Sequence, residues 1–528
     1  MEQEEEYNKL FVGGDISGIQ KFLYNITSRY ASVSLKGRSA YLSTYLSDVC
    51  DRVEQSIKDN GVNPDRLYCS GGKFYLITDN TPSIVSAIEK CAAEEEANLW
   101  KEHQGQLGLN ISYVAFKECD GKYYVEGHED EETSSGVLWK YCNANFARQK
   151  NQKFKTHILN NYKEFFEVIK VGGKPKVCAL TGIESDDCKP LPNAKAEDEG
   201  LVFHPSVIEQ IKEGQRLNSQ EGVNKDFEDY ATTDGGTKGD TYLGVLRMDV
   251  DGMGKRFIIG FPDIEEYRNF SQKATDFFEK YIKESLINEP VNDAKSHKDT
   301  YKQYLNIIYA GGDDLFIVGR WDKVIDFAEL IHKKTVETFK NDSYTDIFDP
   351  EKKECHISIS GGVAIVKPKF PIAKAADLAG EAEDASKSYR KEKNCFNMFG
   401  KTVTWDEEFE YVKDFKNKFV EYISKYKNDY GFSKSILHKI MLYSEIADMN
   451  VEHKSRDKNV NYSYMWHMAY YLTRFMDKYK NHADDKIKKR LYEFCLNLRD
   501  KELPAKEGRN LTLIAIAARW AELTLRDA

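Results

Sequence analysis

Apolar and polar positions along the chain follow two rhythms. Short runs dense in Ile, Val, Leu, Tyr and Phe read as buried strands, and longer stretches with apolar residues every three or four positions read as amphipathic helices. YLGVLRMDV (242–250) is a strand and 263–285 a helix by this rule. In LNIIYAGGDDLFIVG (305–319) two apolar runs flank Gly311-Gly312-Asp313-Asp314, which predicts a β-hairpin because glycine admits the backbone angles of a tight turn. A helix over 322–341, the strand HISISGGVAIV (356–366) and a helix near 372–392 follow. Beyond Trp405 the strand rhythm stops and long helical stretches such as 406–427 and 461–480 take over.

The first part of the chain repeats this series. LYCSGGKFYLI (67–77) echoes the hairpin, with Gly71-Gly72 aligned on Gly311-Gly312 and Lys73-Phe74 in the places of the aspartates. VGGDISGIQKFL (12–23) aligns with LRMDVDGMGKRF (246–257), matching Asp15 to Asp249, Gly18 to Gly252 and Lys21 to Lys255. Ser39–Ile57, Pro82–Glu96 and LGLNISYVAF (107–116) fill the intervening helix, helix and strand places. Strand, helix, hairpin, helix, strand is the order of a ferredoxin-like α+β unit with helices on one side of an antiparallel sheet, here used twice. The expected division is 1–165, a first unit; 166–240, a small inserted module and linker; 241–405, a second unit; and 406–528, an all-helical domain.

Composition narrows the class. The 528 residues are 41% hydrophobic and 31% charged, with mean hydropathy −0.62, enough to bury several cores in a soluble protein. No apolar run is long enough for a membrane helix, and the acidic start MEQEEEYNKL is unlike a secretory signal. Ten scattered cysteines without a CxxC pair fit a cytoplasmic protein with buried free thiols. A net charge of −10 argues against a general nucleic-acid coat, which leaves local basic grooves such as Arg148, Lys150, Lys153 and Lys155, or a merely solvated helix face there.

Two adjacent carboxylates between apolar strands call for an explanation. Asp is common in turns, so a plain polar turn is one. In the predicted topology, however, the strand ending at Asp249 lies beside the hairpin carrying Asp313 and Asp314, with Asp251 nearby. Such a cluster is costly unless a cation neutralises it, and hard oxygen ligands suit Mg²⁺ or Mn²⁺. Two such ions activate an attacking hydroxyl and stabilise a leaving pyrophosphate.

The motifs, taken together, resemble the large polymerase-like subunit of type III CRISPR effector complexes, subtype A. Those motifs are GGDISGIQKFLYNITS (13–28), LKGRSAYL (35–42), SGGKFYLI (70–77), MDVDGMGKRF (248–257), YAGGDDLFIVG (309–319), SGGVAIVKPKFPI (360–372) and KNCFNMFGKTVTW (393–405). The resemblance implies two palm domains related to nucleotide cyclases, working in a complex with other effector subunits, guide RNA and target RNA. It implies conversion of ATP to cyclic oligoadenylates, a 3′-hydroxyl attacking an α-phosphate. By position, Asp249, Asp313 and Asp314 would hold the metals, with the Val250 carbonyl as a further ligand and Asp251 a cap of its own turn. Gly311 and Gly312 would admit phosphates. The first palm would hold the second ATP through Ser70, Gly71 and Gly72, with Asp15 a weaker contact, and Lys393 would bring a cation to the triphosphate.

Two departures from the family accompany this. No His-Asp dipeptide occurs in the sequence, so the HD nuclease chemistry of many members is not expected. The family's zinc finger is represented only by Cys178 and Cys188, with Thr181 at a cysteine position and His204 nearby, so zinc is not expected. Other readings of the same residues are transfer of AMP to a different small-molecule acceptor, a dinucleotide cyclase of the GGDEF type, and a non-catalytic scaffold.

Overall fold

The computed structural model describes residues 7–27, 30–128, 134–165, 176–192, 199–220, 225–232, 241–259, 261, 263–291, 299–340, 357–455, 463–479, 485–502 and 509–527. Ser28, Cys355, His356 and the ends of the 166–240 module, on which parts of the sequence reading fall, lie outside the described residues. The chain is a mixed α+β protein and divides into two compact units. The first comprises 1–233, 242–359 and 365–380; the second comprises 234–241, 360–364 and 381–528.

In the first unit the N-terminal repeat runs β1 (Lys9–Ser17), α1 (Ile19–Tyr24), α2 (Ala31–Lys58), β2 (Asp65–Ser70), β3 (Lys73–Asp79), α3 (Pro82–His103), β4 (Gly108–Cys119), β5 (Lys122–Val125) and α4 (Gly136–Lys150). The sheet order is β2-β3-β1-β4-β5, with β1 antiparallel to both β3 and β4, the ferredoxin-like arrangement extended by one strand. Strand alternation sends Phe11, Gly13 and Asp15 of β1 to one face. There α4 lies so close that a Cβ on Gly13 would meet Cys142 Sγ at 2.7 Å. Short helices α5 (Lys155–Asn160) and α6 (Tyr162–Phe165) follow, then α7 (Pro205–Gln220) and α8 (Phe227–Thr232). Helices α2 and α7 cross at glycines: a Cβ on Gly37 would lie 1.8 Å from the Gln210 carbonyl, and one on Gly214 would lie 1.9 Å from that of Val33.

The second repeat follows as β6 (Leu243–Val250), α9 (Met253–Ile259), α10 (Ile264–Thr275), a π-helical turn (Asp276–Tyr281), α11 (Ile282–Glu284), β7 (Leu305–Gly311), β8 (Asp314–Arg320) and α12 (Trp321–Phe339). Strand β8 lies between β6 and β7, antiparallel to each. The repeats pack together through Trp139, which lies against Phe11 of its own repeat at 4.7 Å and against Tyr267 of the second at 4.0 Å. The ion pair Arg268–Asp65 (2.7 Å) joins α10 to β2. Strand β9 (Ile359–Val366) and α13 (Ile372–Tyr389) contribute to both units.

In the second unit the middle of β9 pairs in parallel with β10 (Cys395–Met398), which is antiparallel to β11 (Lys401–Thr404). These added strands, like β5, go beyond the expected antiparallel unit. Among the described residues the helices α14 (Glu408–Tyr430), α15 (Ser435–Ser455), α16 (Ser463–Met476), α17 (Lys486–Asn497) and α18 (Arg509–Asp527) follow. Phe409, Val412, Phe415, Phe419 and Ile423 form the buried stripe of α14, three or four residues apart as the sequence rhythm requires. Among the described residues no helix is long and apolar enough to cross a membrane.

Candidate active site

Strand β6 ends at Val250, and register decides what faces its last residues. Asp249 stands directly opposite Asp314, the first residue of β8. Carboxylate oxygens of the two lie within 4.8 Å of each other. Like charges directly opposite on neighbouring strands repel, so this rung favours a cation. The Val250 N–H donates to the Asp313 carbonyl at 3.2 Å and ties the turn to the strand end. Val250 itself is buried. The Asp251 carboxylate accepts a hydrogen bond from Ser358 Oγ at 2.8 Å, and the Asp251 N–H donates to the Ser358 carbonyl. Asp251 thus ties the end of β6 to the residue that precedes β9.

The hairpin closes on the pair Gly311–Asp314, which leaves Gly312 and Asp313 as the turn. Gly312 has φ +65°, open to glycine and strained for other residues. In the first repeat the closing pair is Ser70–Lys73, so the turn is Gly71-Gly72, with φ +59° and +81°. This register corrects the alignment of the repeats by one residue. Lys73, opposite Asp15, takes the place of Asp314; Gly72 takes that of Asp313; and Phe74 is a buried strand residue under Gly14. A lysine where the second repeat has a carboxylate removes the metal-like rung. Asp15, which the sequence offers as a weak nucleotide contact, is buried and ion-paired with Lys150 at 2.6 Å, close although not aligned as a hydrogen bond.

The two turns meet. A Cβ on Gly71 would lie 2.7 Å from Gly312 Cα, and one on Gly312 would lie 2.9 Å from Gly71 Cα. Backbone at this distance leaves no room for a side chain on either turn. Ser70, Gly71, Gly72, Gly311, Gly312, Asp313, Asp314, Asp249 and Val250 are therefore gathered in one region of the first unit. Lys393 sits in the second unit, in the turn before β10, with φ +57° and its carbonyl accepting from Arg390 Nε at 2.6 Å.

Residues the sequence did not single out complete the surroundings. Ser70 Oγ donates to Glu279 Oε1. Glu279 is carried by the π-helical turn, and its Oε1 lies 3.4 Å from where a Cβ of Gly311 would stand. Burial, with the charges of Asp314, Asp313 and Glu279, pushes the Tyr309 hydroxyl far above its ordinary pKa. The Tyr68 hydroxyl is raised likewise, mainly by burial. Both phenols thus stay neutral.

Of the basic stretch, Arg148, Lys153 and Lys155 line a cleft of about 780 Å³ along β4, where burial and the nearby Lys21 and Lys150 lower the pKa of Lys153. In the inserted module, Thr181 Oγ1 accepts the Ile183 N–H (3.4 Å), and His204 Nδ1 shares a hydrogen bond with Ser206 Oγ (2.7 Å). Cys178 and Cys188 are buried free thiols.

Residues 242–397 match the second palm domain of the Cas10/Cmr2 family, and 8–170 match domain B of the Csm1 subunit. The chain is a relative of the Cas10/Csm1 proteins. Curated relatives are the subtype III-A Cas10/Csm1 single-strand-specific deoxyribonucleases of Enterococcus italicus, Methanocaldococcus jannaschii and Streptococcus thermophilus. Their identities are 27%, 25% and 24%, over 82%, 81% and 92% of this chain. The chain spans 59%, 63% and 64% of the length of these relatives. Among solved structures, the Csm1–Csm4 cassette in complex with pppApA is similar at TM-score 0.63 and 18% identity. That match covers 98% of this chain and 70% of the other. The same cassette with AMPPNP gives TM-score 0.60 at 19% identity, again over 98% and 70%. The likeness establishes the shared fold, with the matched palm domain over the Asp249 and GGDD residues.

Proposed function

We propose that the chain is the nucleotidyl-transferring subunit of a type III-A CRISPR effector complex, making cyclic oligoadenylates from ATP once target RNA is bound. The observation that carries this reading is the rung Asp249–Asp314 at the mouth of a turn that abuts the first repeat's turn. Solved cassettes of the Csm1–Csm4 kind, which hold ATP in one case and cyclic tetra-adenylate in another, support it by fold.

The two palms are assigned to 1–165 and 241–405, the inserted module to 166–240 and the helical domain to 406–528. Asp249, Asp314 and Asp313, with the Val250 carbonyl, would hold two Mg²⁺ or Mn²⁺ ions. The donor set is all hard oxygen, which fits those ions and not a soft one. When bound, they lower the pKa of the attacking 3′-hydroxyl and neutralise charge on the α-phosphate and leaving pyrophosphate. Gly311 and Gly312 are assigned to the phosphate oxygens, and Ser70, Gly71 and Gly72 to the seat of the second nucleotide. With Lys73 in place of a carboxylate, the first palm binds and orients and takes no part in metal chemistry. Partners are the other effector subunits, with guide and target RNA reaching the chain through them. These 528 residues contain no His-Asp dipeptide, so the deoxyribonuclease activity named for the relatives is not assigned to them.

The test is pyrophosphate release from ATP by the target-bound complex with Mg²⁺ or Mn²⁺. Asp249→Asn and Asp314→Asn should each lower the rate by at least about 100-fold with assembly and target binding intact. Unchanged release in both variants removes the assignment.

A further inference from the structure

Two thiols meet beside the first repeat's turn. Cys50 is buried on α2, and Cys69 is half-buried near the end of β2, next to Ser70. Cys69 Sγ lies 4.0 Å from the carbonyl oxygen of Leu46, one helical turn before Cys50. Helical side chains lean back over the preceding turn, so this position brings the two sulfurs together, and the thiols share a hydrogen bond. That bond, with Arg66 nearby, lowers the pKa of Cys69, whereas the same bond and burial raise that of Cys50. Cys69 is therefore the reactive, partly exposed sulfur, and Cys50 its adjacent partner. The surrounding structure gives the pair leverage. Ser70 Oγ donates to Glu279, and Gly71 abuts Gly312 with no room for a Cβ. The ladder between β2 and β3 is interrupted between Arg66 and Tyr68, so the end of β2 is held less firmly than a regular strand.

We propose that Cys50 and Cys69 close into a reversible disulfide when oxidised by a hydroperoxide, and that closure shifts the Ser70–Gly72 turn relative to the GGDD hairpin. The Cys69 thiolate attacks the peroxide O–O bond and becomes a sulfenic acid; the departing hydroxide takes up the proton that Cys69 gave, as water. The Cys50 sulfur then attacks the sulfenic sulfur, and its own proton leaves with the displaced hydroxide as a second water. Two thiols and one hydrogen peroxide thus give one disulfide and two waters. The sulfurs must close from thiol contact to a bond of about 2.05 Å, which draws β2 toward α2. Ser70 and Gly71 follow Cys69 directly in the chain, so the seating of Gly71 on Gly312 is lost. The effect on turnover rests on the nucleotidyl-transfer reading above; formation of the bond does not.

The test treats the target-bound complex with hydrogen peroxide and maps its tryptic peptides without reductant. Arg52, Lys58 and Arg66 lie between the two cysteines, so after trypsin their peptides stay joined only through the disulfide. Treatment should yield the joined pair, and dithiothreitol should separate it. Pyrophosphate release from ATP should fall at least about tenfold on treatment and recover with dithiothreitol. Cys69→Ser and Cys50→Ala should each abolish the joined pair and hold their untreated rate in peroxide. The two are made side by side because Cys50 is buried, and either one that assembles decides. Cys50 and Cys69 remaining thiols at a dose that oxidises the half-buried Cys119 overturns the inference. A joined pair with unchanged turnover overturns it too, as does an equal loss of turnover in wild type and Cys69→Ser. A complex with no turnover before treatment sinks the transferase reading, and the peptide map then still decides whether the pair closes.

Discussion

Asp249 and Asp314 face each other across one rung, and their mutual repulsion has a consequence for stability as well as for chemistry. Without divalent ions the pair costs roughly 0.2–1 kcal/mol, so Asp314→Asn should melt slightly higher than wild type in chelator. With excess Mg²⁺ the order should reverse, because the ion stabilises only the folded wild type. Thermal melts of both proteins with and without Mg²⁺ check this; the same order in both conditions contradicts it. A second residue-scale prediction concerns His103. Burial, aided by Arg38 and His204, lowers its pKa to about 4, so it is neutral when folded, sharing a 2.6 Å hydrogen bond with Tyr41. The unfolded imidazole, near about 6.5, takes up a proton first. Stability is then full above that value and falls toward pH 4, by at most about 3 kcal/mol. His103→Gln should flatten this acid limb in denaturant titrations, and an unchanged slope would refute it. At this scale the sequence announced GGDD and Asp249 through their apolar flanks. It misplaced the repeat by one residue because Gly-Gly identity drove the alignment, whereas strand register follows the closing pair. Glu279 carried no signal, since its position depends on a π turn that no short motif encodes.

At the scale of elements, the turns act as a matched pair. Gly71→Ala places a Cβ against Gly312 and strains a residue at φ +59°, costing about 1–2 kcal/mol locally. The larger effect should be on activity, a loss of at least about tenfold as the turns are pushed apart, with the melting temperature little changed. Parallel melting and turnover assays check this, and full activity in the variant contradicts it. The α2–α7 crossing is the opposite case. Gly37→Ala sets a Cβ 1.8 Å from a backbone carbonyl and should destabilise by about 1–3 kcal/mol, read as a lower denaturation midpoint. A midpoint equal to wild type would contradict the close crossing. Strands and long helices were legible because their burial rhythm is uninterrupted. Strands β5, β10 and β11 were not, being four residues each and too short to show a period.

Over the whole molecule, one duplication explains most of the first unit: the same series of elements occurs twice, with the metal-like rung kept in one copy and replaced by lysine in the other. That asymmetry was visible as Asp against Lys in the sequence, and its meaning required the contact between turns. On the proposed reading, two palms in one chain would bring together two nucleotide sites without a second subunit. The most direct measurement is the mass of the products formed from ATP labelled at the α-phosphate, by the complete complex with Mg²⁺ or Mn²⁺, with and without matching target RNA. The account predicts target-dependent cyclic adenylates that vanish in Asp313→Ala/Asp314→Ala. Label joined to a different small molecule would contradict the product, and no turnover in a complex that still binds target would contradict the account at its centre.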